Sequence, residues 1–453
     1  MINDRPLRVA IIGSGPAGMY AAGHLLESPG GTLIDGELKQ IVHSKVAVDV
    51  LDRLATPWGL IRSGVAPDHP DKKRMAMIYD SIARRDGFRF IGNVQVGKDI
   101  SPAELSQWYD AVIYAVGADD ERRLGIPGED LLGSNSARAF VSWYNGHPDF
   151  SNLQFDLSAE RAVLVGNGNV AMDVARILFS PISALHITDI ASHALDALSK
   201  SQIKEIVILG RRGPEHAAFN YPELMELADL PDTAIIVEGA DLNALPRSQN
   251  HEAQLKIAAL AKLCKEKIQG NRRIVFRFNA APTALIGEER VAKVSLINKQ
   301  GEFETESELS AGLVLAAIGY RGLAIDGLPF DHERGVIPSC ESRVVDHGVV
   351  LPGSYVTGWI KRGPKGIIGS NKKCARDAVI AVMDDATSGL LPLEGTLCKD
   401  QALQRIKERV ATTVAFSDWH KIDMREQQDG KALGRPRLKI TVSSAILNML
   451  KSA

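Results

Sequence analysis

Cysteine is scarce and scattered in this chain. Cys264, Cys340, Cys374 and Cys398 are its four cysteines among 453 residues, and no two stand as C-x-x-C. That spacing argues against a cysteine-held iron–sulfur cluster, a structural zinc site and a redox-active dithiol. Reduced, inert thiols in a cytoplasmic protein are the expected state, and any electron traffic then needs an organic cofactor. Long hydrophobic runs are also missing. No apolar stretch approaches the ~20 residues that cross a bilayer, and residues 1–6 are polar and lead straight into a strand, so neither membrane insertion nor a signal peptide is expected. Charge of one sign is lacking too: 53 Lys and Arg against 55 Asp and Glu leave a formal net charge of −2, which makes no global case for nucleic-acid or membrane binding. A charged partner must therefore be read by a local patch. The length predicts two or three domains with an ample buried core.

Glycine, by contrast, is placed with purpose. Gly13-Ser14-Gly15-Pro16-Ala17-Gly18 follows the apolar run at 7–12 and opens a segment, 17–26, with helical spacing of apolar residues. Strand, tight turn and helix in that order form a dinucleotide fingerprint. Gly13, Gly15 and Gly18 let the backbone turn and approach a pyrophosphate, which the free N–H groups and dipole of the helix N-terminus hold. Residues 46–51 read as the second strand, and Asp52 at its end is placed to accept hydrogen bonds from a ribose diol. The Gly-rich insert 28–44 reads as a loop on the crossover.

A second fingerprint, Gly166-Asn167-Gly168-Asn169-Val170-Ala171, follows the strand-like run 162–165 and opens a helix at 169–179. After an irregular or helical insert, the strand 206–209 ends in Gly210-Arg211-Arg212-Gly213 where the first unit has its acid. An acid would repel a ribose 2′-phosphate, whereas two guanidiniums offer it charge-assisted bidentate bonds. Two different dinucleotides are expected, the second carrying an extra phosphate.

The runs at 110–117 and 312–319 both end in Gly and bracket the whole second unit. The expected fold is α/β, with two Rossmann-like dinucleotide-binding domains, one inserted into the other: residues 1–115 and 325–453 form the first and 116–324 the second, joined by two neighbouring connections that act as a hinge pair. The tail 396–453 is charged and partly helical, most apolar at 444–450.

Four longer motifs resemble one family. They are Thr56-Pro57-Trp58-Gly59-Leu60, the run from Arg62-Ser63-Gly64 through Asp68-His69-Pro70, Gly210-Arg211-Arg212-Gly213-Pro214, and Gly358-Trp359-Ile360-Lys361-Arg362-Gly363-Pro364. Together with Gly434-Arg435-Pro436-Arg437 near the C-terminus they resemble the adrenodoxin-reductase-like ferredoxin–NADP reductases, in particular the mycobacterial-type branch. The resemblance implies FAD in the first unit, NADP(H) in the second and a ferredoxin, an acidic iron–sulfur protein, as electron acceptor of a monomeric enzyme. It assigns Ala17, Asp52, Leu60, Val96, Trp359, Gly366, Ile367 and Ile368 to FAD. Asn167, Gly168, Asn169 and Val170 go to the NADPH pyrophosphate, Arg211 and Arg212 to its 2′-phosphate, Arg122 to a further NADP contact, and Glu223 and Gly366 to the nicotinamide end. Asp52 is one methylene shorter than the branch's usual Glu.

The resemblance also places His69 and Glu223 at the reaction zone. His69 either hydrogen-bonds Glu223 or helps proton movement during flavin reduction, or is a turn residue between Asp68 and Pro70. Independently of the resemblance, 363–369 leads into a helix whose N-terminal N–H groups can face the flavin edge where negative charge collects, and Gly366 leaves room for a nicotinamide ring. The expected reaction is hydride transfer from NADPH to FAD, then single-electron transfer to ferredoxin. A diaphorase acting on quinones and a non-catalytic NADPH-sensing flavoprotein are the alternatives. For ferredoxin docking the candidate basic face is Arg272, Arg273 and Arg277.

Overall fold

The sequence LRVAII at Leu7–Ile12 is buried at every position, the pattern of a strand covered on both faces in a parallel sheet. In the computed structural model, which describes residues 5–27, 32–34, 37–39, 45–242, 250–267, 269–366, 368–392 and 397–451, it sits inside an eight-stranded sheet. Leu7–Ile12 pairs in parallel with Val46–Asp52 on one side and Ala111–Tyr114 on the other. Phe88–Gly92 and Val349–Val356 extend the parallel core outward, and antiparallel strands from 339–346 and 414–415 close the edges.

A second sheet has six strands, all parallel, in the order Thr233–Glu238, Arg272–Arg277, Glu205–Leu209, Arg161–Val165, Leu313–Ala316, Ser134–Ser136. Helices cover one face around Phe140, Ile177 and Phe219. A three-stranded antiparallel sheet, Ala280–Ile286, Lys293–Gln300 and Phe303–Ser310, covers the other around Val163, Val207 and Val294. The fold is thus α/β with two Rossmann-like units. The chain crosses between the sheets twice, and the crossings pair with each other as Asp120–Glu121 against Tyr320–Arg321.

The insert read as a loop at 28–44 contains an antiparallel pair, Thr32–Ile34 with Glu37–Lys39; its other residues lie outside the described ones. The insert after the second fingerprint is helical, Ile182–His186 and Ser192–Leu198. The tail forms the helices Lys399–Arg409, Phe416–Lys431 and Ser443–Lys451. No described helix is long and apolar enough to cross a membrane.

Candidate functional site

Both glycine turns lie at the carboxyl ends of their parallel strands, where α/β sheets bind ligands. Gly13 has φ +105°, and a Cβ there would stand 2.7 Å from the Ala115 carbonyl oxygen. At Gly18 a Cβ would meet the Gly13 carbonyl oxygen at 1.9 Å, so the helix Pro16–Glu27 packs directly on the turn. The space beside Gly15 is open: its nearest neighbour would be the Gly59 Cα at 4.0 Å. Gly59 and Gly358 flank this turn, the latter so close that a Cβ would come 2.6 Å from the buried Ala17 Cβ. Trp58, with φ 83°, keeps the Pro57–Leu60 segment in a strained left-handed bend against the turn.

Asp52 is engaged with the turn itself. One carboxylate oxygen accepts from the Ser14 N–H at 2.9 Å and the Ser14 hydroxyl at 2.5 Å, and the other accepts from the Leu54 N–H at 2.9 Å. Burial raises its pKa, with the Ser14 and Leu54 hydrogen bonds pulling the other way. Val96 is half-buried beyond this strand end, and Leu60 is a largely exposed residue opening the short helix Leu60–Ser63. The Trp359 ring stacks on Tyr320 at 5.8 Å, and its Nε1 is buried without an acceptor among the described residues. Gly366 has φ +89°, and a Cβ would collide with the Ser370 hydroxyl at 2.4 Å. Ile368 begins the helix Ile368–Thr387, whereas Ile367 lies outside the described residues. An orphaned indole N–H and a cradle that only glycine leaves open fit a bound flavin dinucleotide.

The second turn repeats the first. Gly166, φ +109°, would drive a Cβ to 2.5 Å from the Ala317 carbonyl oxygen, while nothing lies within 4 Å of a Cβ on Gly168. Ala171 replaces the third glycine and is fully buried. Asn167 and Asn169 accept from the N–H groups of Ala218 (3.4 Å) and Asn220 (2.8 Å), and Val170 packs on the core. Arg211 and Arg212 are exposed at the neighbouring strand end and make no side-chain hydrogen bond or ion pair among the described residues. Most arginines here are paired, so two free guanidiniums beside an open glycine turn fit a phosphorylated ribose. Arg122 is likewise exposed, its N–H donating to the Gly319 carbonyl next to the paired crossings.

At the reaction zone the structure corrects the sequence reading. His69 does not bond Glu223: its Nε2 lies 2.9 Å from an oxygen of Glu226, one helical step further on. Lys72 Nζ, which can only donate, stands 3.4 Å from the other ring nitrogen, so the proton sits on Nε2 and points at Glu226. Glu223 meets Lys72 at 3.5 Å, and its second oxygen is buried without a partner among the described residues. Arg176, buried on the helix opened by the second fingerprint, donates to Glu226 (2.6 Å), Asp173 (2.9 Å) and both oxygens of Asp68 (2.6 and 3.0 Å). Burial pushes the Glu226 and Asp68 carboxyls up, but the His69 hydrogen bond in the first case and Arg176 in both outweigh it and hold them below their ordinary values. For Asp173 burial prevails and its pKa is raised. His69, Asp173 and Glu226 approach one another within 4.8 Å. Sequence reasoning missed Glu226, Asp173 and Arg176. The visible signal was an Asp and an Arg three residues apart on an otherwise apolar helix.

The basic docking face is a second correction. Arg272 donates to the carbonyls of Phe179 (2.8 Å) and Pro231 (3.0 Å), Arg273 pairs with Glu205, and Arg277 donates to Glu238 at 2.8 Å. Arg272 and Arg273 also begin their strand, which puts them at the sheet edge opposite the glycine turn, about a strand length of roughly 17–20 Å away. Arg277 instead ends the same strand, opposite Leu209 on the glycine-turn side, so the three paired arginines do not lie together as one docking face.

Comparison with known proteins supports the same chemistry. The pyridine nucleotide-disulphide oxidoreductase family matches residues 7–208, although all four cysteines here are free. NADPH-ferredoxin reductase FprA of Mycobacterium tuberculosis is 42% identical over 98% of this chain and 99% of its own. The mitochondrial NADPH:adrenodoxin oxidoreductase of Arabidopsis thaliana is 40% identical over 98% of this chain and 95% of its own. The solved structure of Mycobacterium tuberculosis FprA in complex with NADPH superimposes with a TM-score of 0.89 at 41% identity, covering 99% of this chain and all of that one.

Proposed function

Because the chain belongs to the adrenodoxin-reductase-like ferredoxin–NADP reductases, we propose how its own residues divide the work of this reaction. The protein is an NADPH–ferredoxin oxidoreductase that uses FAD and NADP(H). Bound FAD supplies a carrier that takes up a pair of electrons with a hydride and releases them singly. Everything else is orientation and electrostatics.

Residues 1–115 and 325–453 form the FAD unit and 116–324 the NADP unit. Gly13, Gly15, Ala17 and Gly18 hold the FAD pyrophosphate, and Trp359 offers its free Nε1–H to the cofactor. Gly168, Asn169 and Val170 present N–H groups to the NADPH pyrophosphate, with Asn167 beside them. Arg211 and Arg212 bind the 2′-phosphate, and Arg122 is a further NADP contact. Glu223 and Gly366 border the nicotinamide. His69 holds a proton on Nε2 against the ionised Glu226, and Arg176 fixes that carboxylate. The cluster thereby holds the imidazole rigidly at the reaction zone, and the reaction does not require a nucleophile.

The observation that carries this reading is the contrast between two matching glycine turns, one followed by an acid and the other by two unpartnered arginines. The acceptor is an acidic ferredoxin, the enzyme works as a monomer, and its four unpaired thiols fit the cytoplasm. Reduction of cytochrome c that depends on added ferredoxin, falls as salt rises and prefers NADPH tests the whole reading. Equal activity without ferredoxin favours a diaphorase, and no NADPH oxidation at all returns the protein to a sensor.

A further inference from the structure

The tail crosses from one unit to the other in a short stretch, 435–440. On the FAD side it is pinned by Glu426, which is fully buried: its carbonyl accepts the Leu438 N–H at 2.7 Å, and its carboxylate accepts the Ile440 N–H at 2.8 Å and both guanidinium nitrogens of Arg62. On the NADP side Arg435, buried, donates to the Thr188 and Ile190 carbonyls and to the Ser192 hydroxyl. Between these anchors lies Lys439, whose side chain is 1% exposed. An ammonium has three N–H donors, and Lys439 has an acceptor for each: the Arg62 carbonyl (3.0 Å), the Asn145 carbonyl (3.0 Å) and an Asp189 oxygen (2.9 Å). One acceptor belongs to the FAD unit and two to the NADP unit.

Asp189 is shared. Lys73 donates to both its oxygens, at 2.6 and 2.8 Å, and to the Asn145 side chain at 3.1 Å. Lys73 ends the short helix Pro70–Lys73, which His69 immediately precedes. The path from the tail to the reaction zone is therefore Lys439, Asp189, Lys73 and one helical turn to His69, whose ring meets Glu226 of the other unit at 2.9 Å.

We propose that Lys439 is a positioning residue for hydride transfer: through Asp189 and Lys73 it sets the orientation of the two units that brings His69 and the FAD turn against the NADP unit. The inference rests on the NADPH–ferredoxin reductase activity. Reaction geometry is sensitive to small displacements, a misplacement of about 1 Å being worth up to about 100-fold in rate. The tie therefore needs to control only a small angle. Lys439 is also the informative residue to remove, because Asp189 keeps Lys73 as its partner and no buried carboxylate is left alone. Removing one member of a buried charged cluster is strongly destabilising when it strands an unpaired charge, and here the Lys73–Asp189 pair stays intact.

The test compares Lys439→Met and Asp189→Asn with the unaltered holoenzyme. FAD content, the NADP+ dissociation constant, the stopped-flow rate of flavin bleaching by NADPH and the long-wavelength charge-transfer absorbance with NADPH are measured in each, together with hydrogen exchange at residues 70–74 and 187–192. The expected result is a loss of about 10- to 100-fold in bleaching rate, weaker charge-transfer absorbance and faster exchange in both segments, with FAD content and NADP+ affinity retained. An unaltered bleaching rate in Lys439→Met overturns the proposal. So does a loss of rate that only tracks loss of FAD or of NADP+ affinity. Should Lys439→Met fail to accumulate as holoenzyme, Lys439→Gln, which keeps a donor at this position and leaves the Lys73–Asp189 pair intact, decides by the same two criteria. If the unaltered protein does not oxidise NADPH, it is the underlying activity that fails and not the tie.

Discussion

The two glycine turns are built on the same plan and end in opposite chemistry. At Gly13 and Gly166 the φ angles are +105° and +109°, and the missing Cβ would fall on a neighbouring strand's carbonyl in both, Ala115 in one and Ala317 in the other. This shared part serves a pyrophosphate, which both dinucleotides carry. One strand further on the units diverge. The first ends in Asp52, held by three protein donors, and the second in two arginines with no side-chain partner among the described residues. A closed acid tolerates a ribose diol and repels a phosphate, whereas open guanidiniums do the reverse. The turn determines that a dinucleotide binds, and the strand end determines which one.

Removing the arginines should break that contrast most severely. Each guanidinium bond to the 2′-phosphate contributes about 1.5–3 kcal/mol, so Arg211→Ala with Arg212→Ala should cost on the order of 100-fold or more in preference for NADPH over NADH. The FAD spectrum should not change. Steady-state kinetics with both nucleotides decide it, and an unaltered protein that uses them equally well removes the basis of the assignment.

The next largest effect probes the shared part. Alanine at a positive-φ position with a carbonyl in the way costs about 1–3 kcal/mol in strain alone. Gly13→Ala should therefore yield protein poor in FAD, and Gly166→Ala protein full of FAD with an NADP+ dissociation constant raised by about 10-fold or more. Loss of both ligands from either variant would mean that the turns are not independent.

A smaller effect, on rate and not on binding, separates the two glutamates. Glu226 touches His69 and Arg176, while Glu223 reaches His69 only by way of Lys72. Glu226→Gln should slow flavin reduction by about 10-fold, with FAD content retained, and Glu223→Gln should slow it less. The opposite ranking in stopped-flow measurements would restore Glu223 to the central position.

These contrasts also show what the sequence could reveal. The fingerprints, the strand-end arginines and the order of segments were legible because each is local: a glycine turn, the strand before it and the helix after it lie within some thirty residues. The hydrogen-bond partners were not. Glu223 and Glu226 lie on neighbouring turns, and only the approach of the 68–73 segment from the other unit selects Glu226. Arg272 and Arg273 read as a basic patch because charge is visible in sequence, but Glu205 and the Phe179 and Pro231 carbonyls that occupy them come from a distant strand, a helix end and a loop. The role of the tail was hidden for the same reason, since the acceptors of Lys439 come from residues 62, 145 and 189.

The smallest expected effect asks whether Asp52 reaches the ribose at all. A carboxylate has about four acceptor positions, and Ser14 and Leu54 fill three of them. Ser14→Ala removes the hydroxyl and keeps both N–H donors. In the FAD-free protein the half-buried carboxylate then lacks one donor, a loss of about 1.5–3 kcal/mol for a bond to a charged group, at the lower end where the site is open to water. With FAD bound, a ribose hydroxyl can take the vacated position if Asp52 faces it. The fall in Tm caused by Ser14→Ala should therefore be clearly larger in the FAD-free than in the FAD-loaded protein, and thermal unfolding of both forms measures it. Equal falls would show that Asp52 braces the glycine turn without touching the cofactor, and the contrast between the two strand ends would then rest on the arginines alone.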